Sequence, residues 1–402
     1  MSIHSFFKSL TSTSSGRRPT RRRPPASRLQ FEQLEDRTLP SNFTAATVSD
    51  LIADINAANQ QGGSNTITLV AFSAPFTLSE ANNATDGATG LPVIAANDNL
   101  TIIGNGNTIG RDTTIWGVPD FRLFDVGDGA ALTLVNLTLQ KGFAYGTGAS
   151  GSGGAIYSLG DLTLDGVTVQ DNKAVGAPGG NGGTGSEGLG GALYVAGGTA
   201  TITNSTLSAN QALGGPGGAA YTVFNYIDGP NGGNGGSGLG GAVYVAAGTV
   251  IMTGNTWSAN TAQGGRGGRG GDAVADEYSW DVHAGDGGYG GSGLGGAVSV
   301  AAGTVIMTGN TWSANTAQGG SGGDGGWAYD QSLYGNLGHP GNGGPGGPGF
   351  GGGLYLAGGT FTLTGATVSS NSALAGSGGL GGVNGYTSGY NGSPGQIGRA
   401  HV

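Results

Sequence analysis

Apolar residues recur along this chain in short alternating runs, separated by stretches rich in glycine. The frame is a Gly-Gly-[Ala/Gly]-[Ile/Val/Leu] start followed about 20 residues later by Asn, at 153–172, 190–210, 240–260, 295–315 and 351–371. Ten residues before the Asn stand Leu162, Ala200, Val250, Val305 and Phe361. Eight before it stand Leu164, Ile202, Met252, Met307 and Leu363, and three before it Val169, Leu207, Trp257, Trp312 and Val368. The positions between are mostly Thr, Ser and Gly. Period two predicts short β-strands with one buried face, and the Gly- and Asn-containing breaks predict turns. Three such strands in about 21 residues predict one coil of a β-solenoid. No coil can bury its apolar face alone, so coils must stack, about 4.8 Å apart, into a continuous core.

The frame extends upstream. Leu132, Leu134, Leu137 and Leu139 fall into it, with Gly142 at the Asn position, and 100–110 and 65–70 read as earlier coils. About eight coils are expected. Before them, 45–64 reads as a cap, a short helix whose Leu51, Ile52 and Ile55 cover the open end of the core. The strongest repeat is a near copy: 237–265 and 292–320 differ only in Tyr244 against Ser299. Tyr244 is expected to face outward.

GGAIYSLGDLTLDGVTVQDNKA (153–174) resembles the repeats of chlamydial polymorphic outer-membrane proteins, and TVSDLIADINAANQQGGSNTITL (47–69) resembles the cap that opens many bacterial β-helix proteins. The run Ser49-Asp50-Leu51-Ile52-Ala53-Asp54-Ile55 lacks the Arg usual in such caps. These resemblances imply an all-β, right-handed parallel β-helix over 65–375, with long glycine-rich inserts on one flank.

Asn172, Asn210, Asn260, Asn315 and Asn371 hold one frame position without accompanying charge. They read as an asparagine ladder, each amide bonding its neighbour in the next coil. Gly153, Gly190, Gly240, Gly295 and Gly351 open the coils and read as positive-φ turns. A phosphate loop would need a following helix, and a strand follows instead. Trp257 and Trp312 share the place of Val169 and Leu207, which makes them core-facing or groove-lining; sugar stacking is the rival reading.

The inserts, 173–189, 211–239, 261–294 and 316–350, leave the coils at one edge. Flexible loops are the default for such composition, although repeated Gly-Gly-X also permits polyglycine-II-like packing. Asp272, Asp276, Glu277, Asp281 and Asp286, with His283, make the third insert the most acidic. They are the one place the sequence leaves open for calcium; a solvated loop is the competing reading, and no other cofactor is expected. Gly322–Trp327 only hints at the nonapeptide of calcium-binding β-rolls.

Of 402 residues 90 are Gly, and charged residues are 10%, yet the strict period of collagen is absent. Residues 1–37 hold eight basic and three acidic residues; the remainder holds seven and 21, a net of −14. That acidity argues against nucleic acid and anionic membranes as partners of the main body. Cysteines are absent, which excludes disulfides. No apolar run is long enough for a membrane-spanning helix.

Residues 1–28 are expected to form a disordered basic tail. The segment 29–44 resembles the LEDR/LEPR-type motif of large exported planctomycete proteins through Phe31, Leu34, Glu35, Asp36 and Arg37, with Glu32, Leu39 and Pro40. That resemblance implies export to the outer surface or beyond. Residues 376–396 are glycine-rich and read as truncated. IGRAHV (397–402) matches the translation of a sequencing-adapter stretch and is expected to be foreign.

Catalysis finds little support. Asp161, Asp165 and Asp171 form the only acidic group on a coil, have no counterpart in later coils and are assigned to turns and surface. The expected function is a structural, adhesive or ligand-presenting one on the cell surface, toward polysaccharide or protein. The alternative is a polysaccharide lyase or hydrolase of the pectate-lyase-like class. Two or more carboxylates converging in one groove would favour it.

Overall fold

The computed structural model describes residues 41–71, 75–221, 228–275, 282–330, 338–384, 396 and 400–401. The export-motif residues Phe31, Leu34, Glu35, Asp36 and Arg37, and the acidic Asp276, Glu277 and Asp281, lie outside them.

The architecture is an all-β parallel solenoid with one helix among the described residues. The longest sheet has nine parallel strands, Ser41–Ala45, Gly63–Leu69, Asp98–Ile103, Ala131–Val135, Asp161–Asp165, Thr199–Thr203, Thr249–Thr253, Thr304–Thr308 and Thr360–Thr364. Its registers follow the frame: Leu162 pairs Ala200, which pairs Val250, then Val305, then Phe361. An eight-stranded sheet contains Thr168–Gln170 and its counterparts up to Thr367–Ser369. A six-stranded sheet runs from Phe124–Val126 to Leu354–Leu356.

Each coil from 151 onward has five strand segments rather than the expected three. The first three residues of each expected insert, such as Lys173–Val175 and Thr261–Gln263, form a six-stranded sheet together with Phe143–Tyr145 and Ser372–Leu374. The last two, such as Gly188–Leu189 and Gly293–Leu294, form another six-stranded sheet with Gly151–Ser152 at one end and Ala400–His401, beside Gly349–Phe350, at the other. Three-residue strands with a single buried Ala or Leu carry too weak an alternation to be read from sequence.

Inward side chains of all coils merge into one core, from Ala45 to Trp312. Trp257 is 0% and Trp312 3% exposed, and their rings stack at 5.1 Å. Burial removes them from any sugar-stacking role. In the final coil Leu363 and Val368 are exposed, because no described strand pairs with the far side of Thr360–Thr364 or Thr367–Ser369.

The helix Val48–Gln61 starts with a capping box: Thr47 Oγ1 accepts the Asp50 amide at 3.1 Å and Asp50 Oδ2 accepts the Thr47 amide at 3.0 Å. Leu51, Ile55 and Ala58, at i, i+4 and i+7, are fully buried, while Ile52 packs at the core edge. Residues 41–45, straddling the boundary drawn between export motif and cap, form a single strand paired with Gly63–Leu69.

Candidate functional site

The asparagines of the frame stack through the core edge. Asn172 donates its amide and side-chain NH₂ to Asn210 Oδ1 at 3.1 and 3.0 Å, and the same pair of bonds recurs from Asn210 to Asn260, Asn260 to Asn315 and Asn315 to Asn371. Gly142, at the Asn position of the preceding coil, donates to Asn172 Oδ1 at 2.9 Å. The residue before each ladder Asn is left-handed: Asp171, Ala209, Ala259, Ala314 and Ser370 have φ of 55, 54, 52, 53 and 52°. The ladder therefore pins a turn that non-glycine residues rarely adopt. A second ladder, Ser205–Asn255–Asn310, sits five residues earlier. Ser205 donates its amide to Asn255 Oδ1 at 2.8 Å, and Asn255 donates to Asn310 Oδ1 at 3.1 Å. Its signal in the sequence was the Asn at the fifth place before Asn260 and Asn315. The five coil-opening glycines, Gly153, Gly190, Gly240, Gly295 and Gly351, all have φ between 60 and 67°.

The glycine-rich inserts differ from the flexible-loop expectation. Their described residues form an ordered second layer with hydrogen bonds of period three. The first Gly of a Gly-Gly-X triplet donates to an X carbonyl in the next coil: Gly217 to Arg266, Gly267 to Ser321 and Gly322 to Ser377, each at 2.8 Å. The second Gly donates sideways between outgoing and returning segments. One such relay runs Gly379 to Gly344, Gly323, Gly288, Gly268, Gly233, Gly218 and Gly183, at 2.7–2.9 Å per step. Period three is what extended polyglycine chains with three residues per turn require. Close approach explains the composition: a Cβ on Gly268 would stand 2.0 Å from the Gly218 carbonyl oxygen.

In several triplets the third N–H is served by a side chain instead. Asn231 Oδ1 accepts the Asp286 amide at 2.8 Å and Asp286 Oδ1 accepts the Asn342 amide at 2.7 Å. Asn234 does the same for Tyr289, Asp272 for Trp327 and Asp324 for Leu380. Pro216, Pro345 and Pro348 stand at X positions, where they have no N–H to satisfy. The X side chains are left in columns on the outside of the layer. They include Tyr289 (60% exposed), Trp327 (44%) and Leu380 (70%). Arg266 pairs Asp324 at 2.6 Å, the Arg269 guanidinium lies 5.2 Å from the Trp327 ring centroid, and His283 stacks on His339 at 4.6 Å.

Of the calcium candidates, the two described carboxylates are engaged in this lattice. Asp272 also pairs with Arg269, and Asp286 carries the Asn342 amide. Among the described residues no group of three or more His, Asp or Glu is placed to hold a metal ion. Asp324, in the β-roll-like Gly322–Trp327, likewise accepts the Leu380 amide.

The outward columns of the two longest sheets are Thr199, Thr249, Thr304 and Thr360 in one and Thr206, Thr256, Thr311 and Thr367 in the other. From Thr199 onward these columns carry no acid or base; in the preceding coil Asp161 and Asp165 stand at the positions of Thr199 and Thr203. Tyr244 faces outward from the coil, between the buried Val243 and Val245, and is half-buried by its neighbours. It stacks on Tyr194 at 5.5 Å, and Tyr194 on Tyr157 at 5.1 Å; Ser299 interrupts this column before Tyr355.

Asp161, Asp165 and Asp171 are exposed. Asp161 nevertheless shares a groove of about 350 Å³ with Asp98 and Asp128. Asp98 is 1% exposed, and burial raises its carboxyl above the usual range, partly offset by the Asn65 amide bonded to Oδ1 at 2.9 Å. Asp161 Oδ1 accepts the Thr199 amide at 2.7 Å. No Arg, Lys or His lines this groove.

Fold and flank together define the class: a parallel β-solenoid carrying a hydrogen-bonded glycine-rich layer. Comparison of the chain with protein-family models, curated proteins and solved structures finds no match. No described helix is long and apolar enough to cross a membrane.

Proposed function

We propose that this protein is an exported, cell-surface β-solenoid whose role is structural, adhesive or ligand-presenting, without catalysis. The observation that supports it most is the glycine-rich layer. Its backbone hydrogen bonds run between inserts, while the X side chains stay free to vary. Such a layer is a rigid frame for columns of display residues. The contrast within the duplicated blocks points the same way: 237–265 and 292–320 are nearly invariant, and the X residues of the inserts that follow them are not. The LEDR-type residues of 29–44 and the polymorphic outer-membrane-protein-like repeats fit export to the outer surface.

Expression in a planctomycete host tests the reading. Protease added to intact cells should digest the chain, and deletion of 29–40, which spares the strand Ser41–Ala45, should protect it by retaining it inside. Purified protein should bind host cells or matrix polysaccharide. Protection of the intact chain, or turnover of polysaccharide without binding, overturns the proposal.

A second reading, polysaccharide cleavage, is favoured by one feature: Asp98, Asp128 and Asp161 share a groove. Paired carboxylates are the minimum for glycoside hydrolysis. Two of the three already spend an oxygen on structural amides. Release of reducing ends from a polysaccharide panel, abolished by Asp128→Asn, would establish this reading over the first.

A further inference from the structure

At the N-terminal end of the glycine-rich flank the insert is reduced to residues 146–150, between the strands Phe143–Tyr145 and Gly151–Ser152. Beside it opens a cavity of about 170 Å³, lined among others by Asp86, Asp120, Arg122, Tyr145, Ser150 and Ser152. Arg122 is 5% exposed, and its Nε and Nη1 have no hydrogen-bond partner. A guanidinium withdrawn from water is costly unless something accepts from it. The fold braces it from behind. Its guanidinium carbon lies 4.9 Å from the Tyr157 ring centroid, and Asp125, the strand neighbour of Tyr157, supplies an opposite charge.

The rest of the wall is mixed. Asp120 is held by Arg111 at 3.2 Å, and Arg111 covers the Phe143 ring at 5.4 Å. Tyr145 remains 45% exposed. The cavity therefore offers donors on Arg122, acceptors on Asp86 and Asp120, hydroxyls on Ser150 and Ser152, and one accessible aromatic ring. Around it the guanidiniums of Arg122 and Arg111 face the carboxylates of Asp86, Asp120 and the buried Asp125, so the site has no excess positive charge to hold an anion, while the unpartnered N–H groups of Arg122 oppose a cation. A volume of about 170 Å³ has room for a single small ring. A compact, uncharged ligand with hydroxyls on its edge and C–H groups on one face meets all of these conditions.

We propose that this cavity binds one neutral hexopyranose unit, with Tyr145 against a ring face and Arg122, Asp86 and Asp120 on the hydroxyls. The proposal concerns residues outside the columns of the glycine-rich layer and holds whether or not the protein is exported. Saturation-transfer NMR of the full chain with the methyl glycosides of glucose, galactose and mannose tests it. At least one glycoside should receive saturation, and Tyr145→Ala and Asp86→Ala, both at exposed positions, should weaken its binding about tenfold or more. Arg122→Met should do the same while circular dichroism and Tm report whether the coils persist; if they do not, the two exposed variants decide. Absence of transfer to all three glycosides from folded protein, binding unchanged in Tyr145→Ala and Asp86→Ala, or tighter binding of galacturonate than of any neutral sugar would each overturn the assignment.

Discussion

Asn315 Oδ1 accepts two hydrogen bonds from one residue, the backbone amide of Asn260 at 3.1 Å and its side-chain amide at 2.9 Å. Asn260 in turn gives its second side-chain hydrogen to the Leu207 carbonyl at 2.9 Å. Both ladder residues are 0% exposed. One side chain thus supports the left-handed turn at Ala259, the coil above and the coil below. Asn260→Ala leaves the Asn210 amide without its acceptor inside the core. A loss of about 1–3 kcal/mol is expected in urea unfolding, the cost of an unsatisfied buried group. A change smaller than a surface control such as Thr253→Ala would mean that the ladder does not hold the coils.

The glycine-rich layer should fail separately from the coils. Gly268→Ala places a Cβ against the Gly218 carbonyl, and overpacking of this kind costs about 1–3 kcal/mol. Amide exchange at 264–271 should accelerate about tenfold or more, while the ladder amides stay protected. Arg266→Ala, at an outward X position, should leave both unchanged. Hydrogen-exchange mass spectrometry distinguishes this from loops that already exchange freely in the parent.

Four of the five tryptophans lie among the described residues, Trp280 being outside them, and these four fall into two populations. Trp257 and Trp312 are in the core, whereas Trp116 is 99% and Trp327 44% exposed. In a Trp280→Phe background acrylamide should quench Trp116 and Trp327 and spare Trp257 and Trp312. Trp257→Ala should cost about 3–5 kcal/mol, the range for deleting a buried large aromatic. If single-tryptophan variants show Trp312 as accessible as Trp327, the assignment of that column to the core is wrong.

Asp125 gives the fold a pH dependence of predictable sign. It is 0% exposed, and burial pushes its carboxyl up to about 6, against the attraction of Arg122. Because the folded pKa exceeds the ordinary value of 3.8, the native state holds the proton longer than the unfolded chain. This group's contribution is therefore favourable below about pH 4 and is lost as the pH rises through about 6. Asp125→Asn removes the titration. Its Tm relative to the parent should be higher at pH 7.5 than at pH 4, and an equal difference at both values would contradict the assignment.

The coil frame was legible in the sequence because period two and a fixed Asn are local signals, repeated five times at one spacing. The positive φ of Gly153 and its counterparts follows from the same repetition. The Ser205–Asn255–Asn310 ladder was less visible, since its position is Val167 in the first repeat and Ala366 in the last. The groove of Asp98, Asp128 and Asp161 was not visible at all, because those residues come from three coils and only one was singled out.

By itself the sequence determined that the chain builds stacked parallel strands, which face of each strand is buried, and where each coil turns. These follow from the alternation of apolar positions and from the recurrence of Gly and Asn. Only the tertiary structure decided that the inserts are ordered. A triplet such as Gly217-Gly218-Ala219 has the composition of a flexible linker, and its amides find acceptors only in Arg266 and Gly183, on other coils. The burial of Arg122 beside a cavity was decided there too, since an arginine is placed inside or outside by what packs against it rather than by its neighbours in the chain.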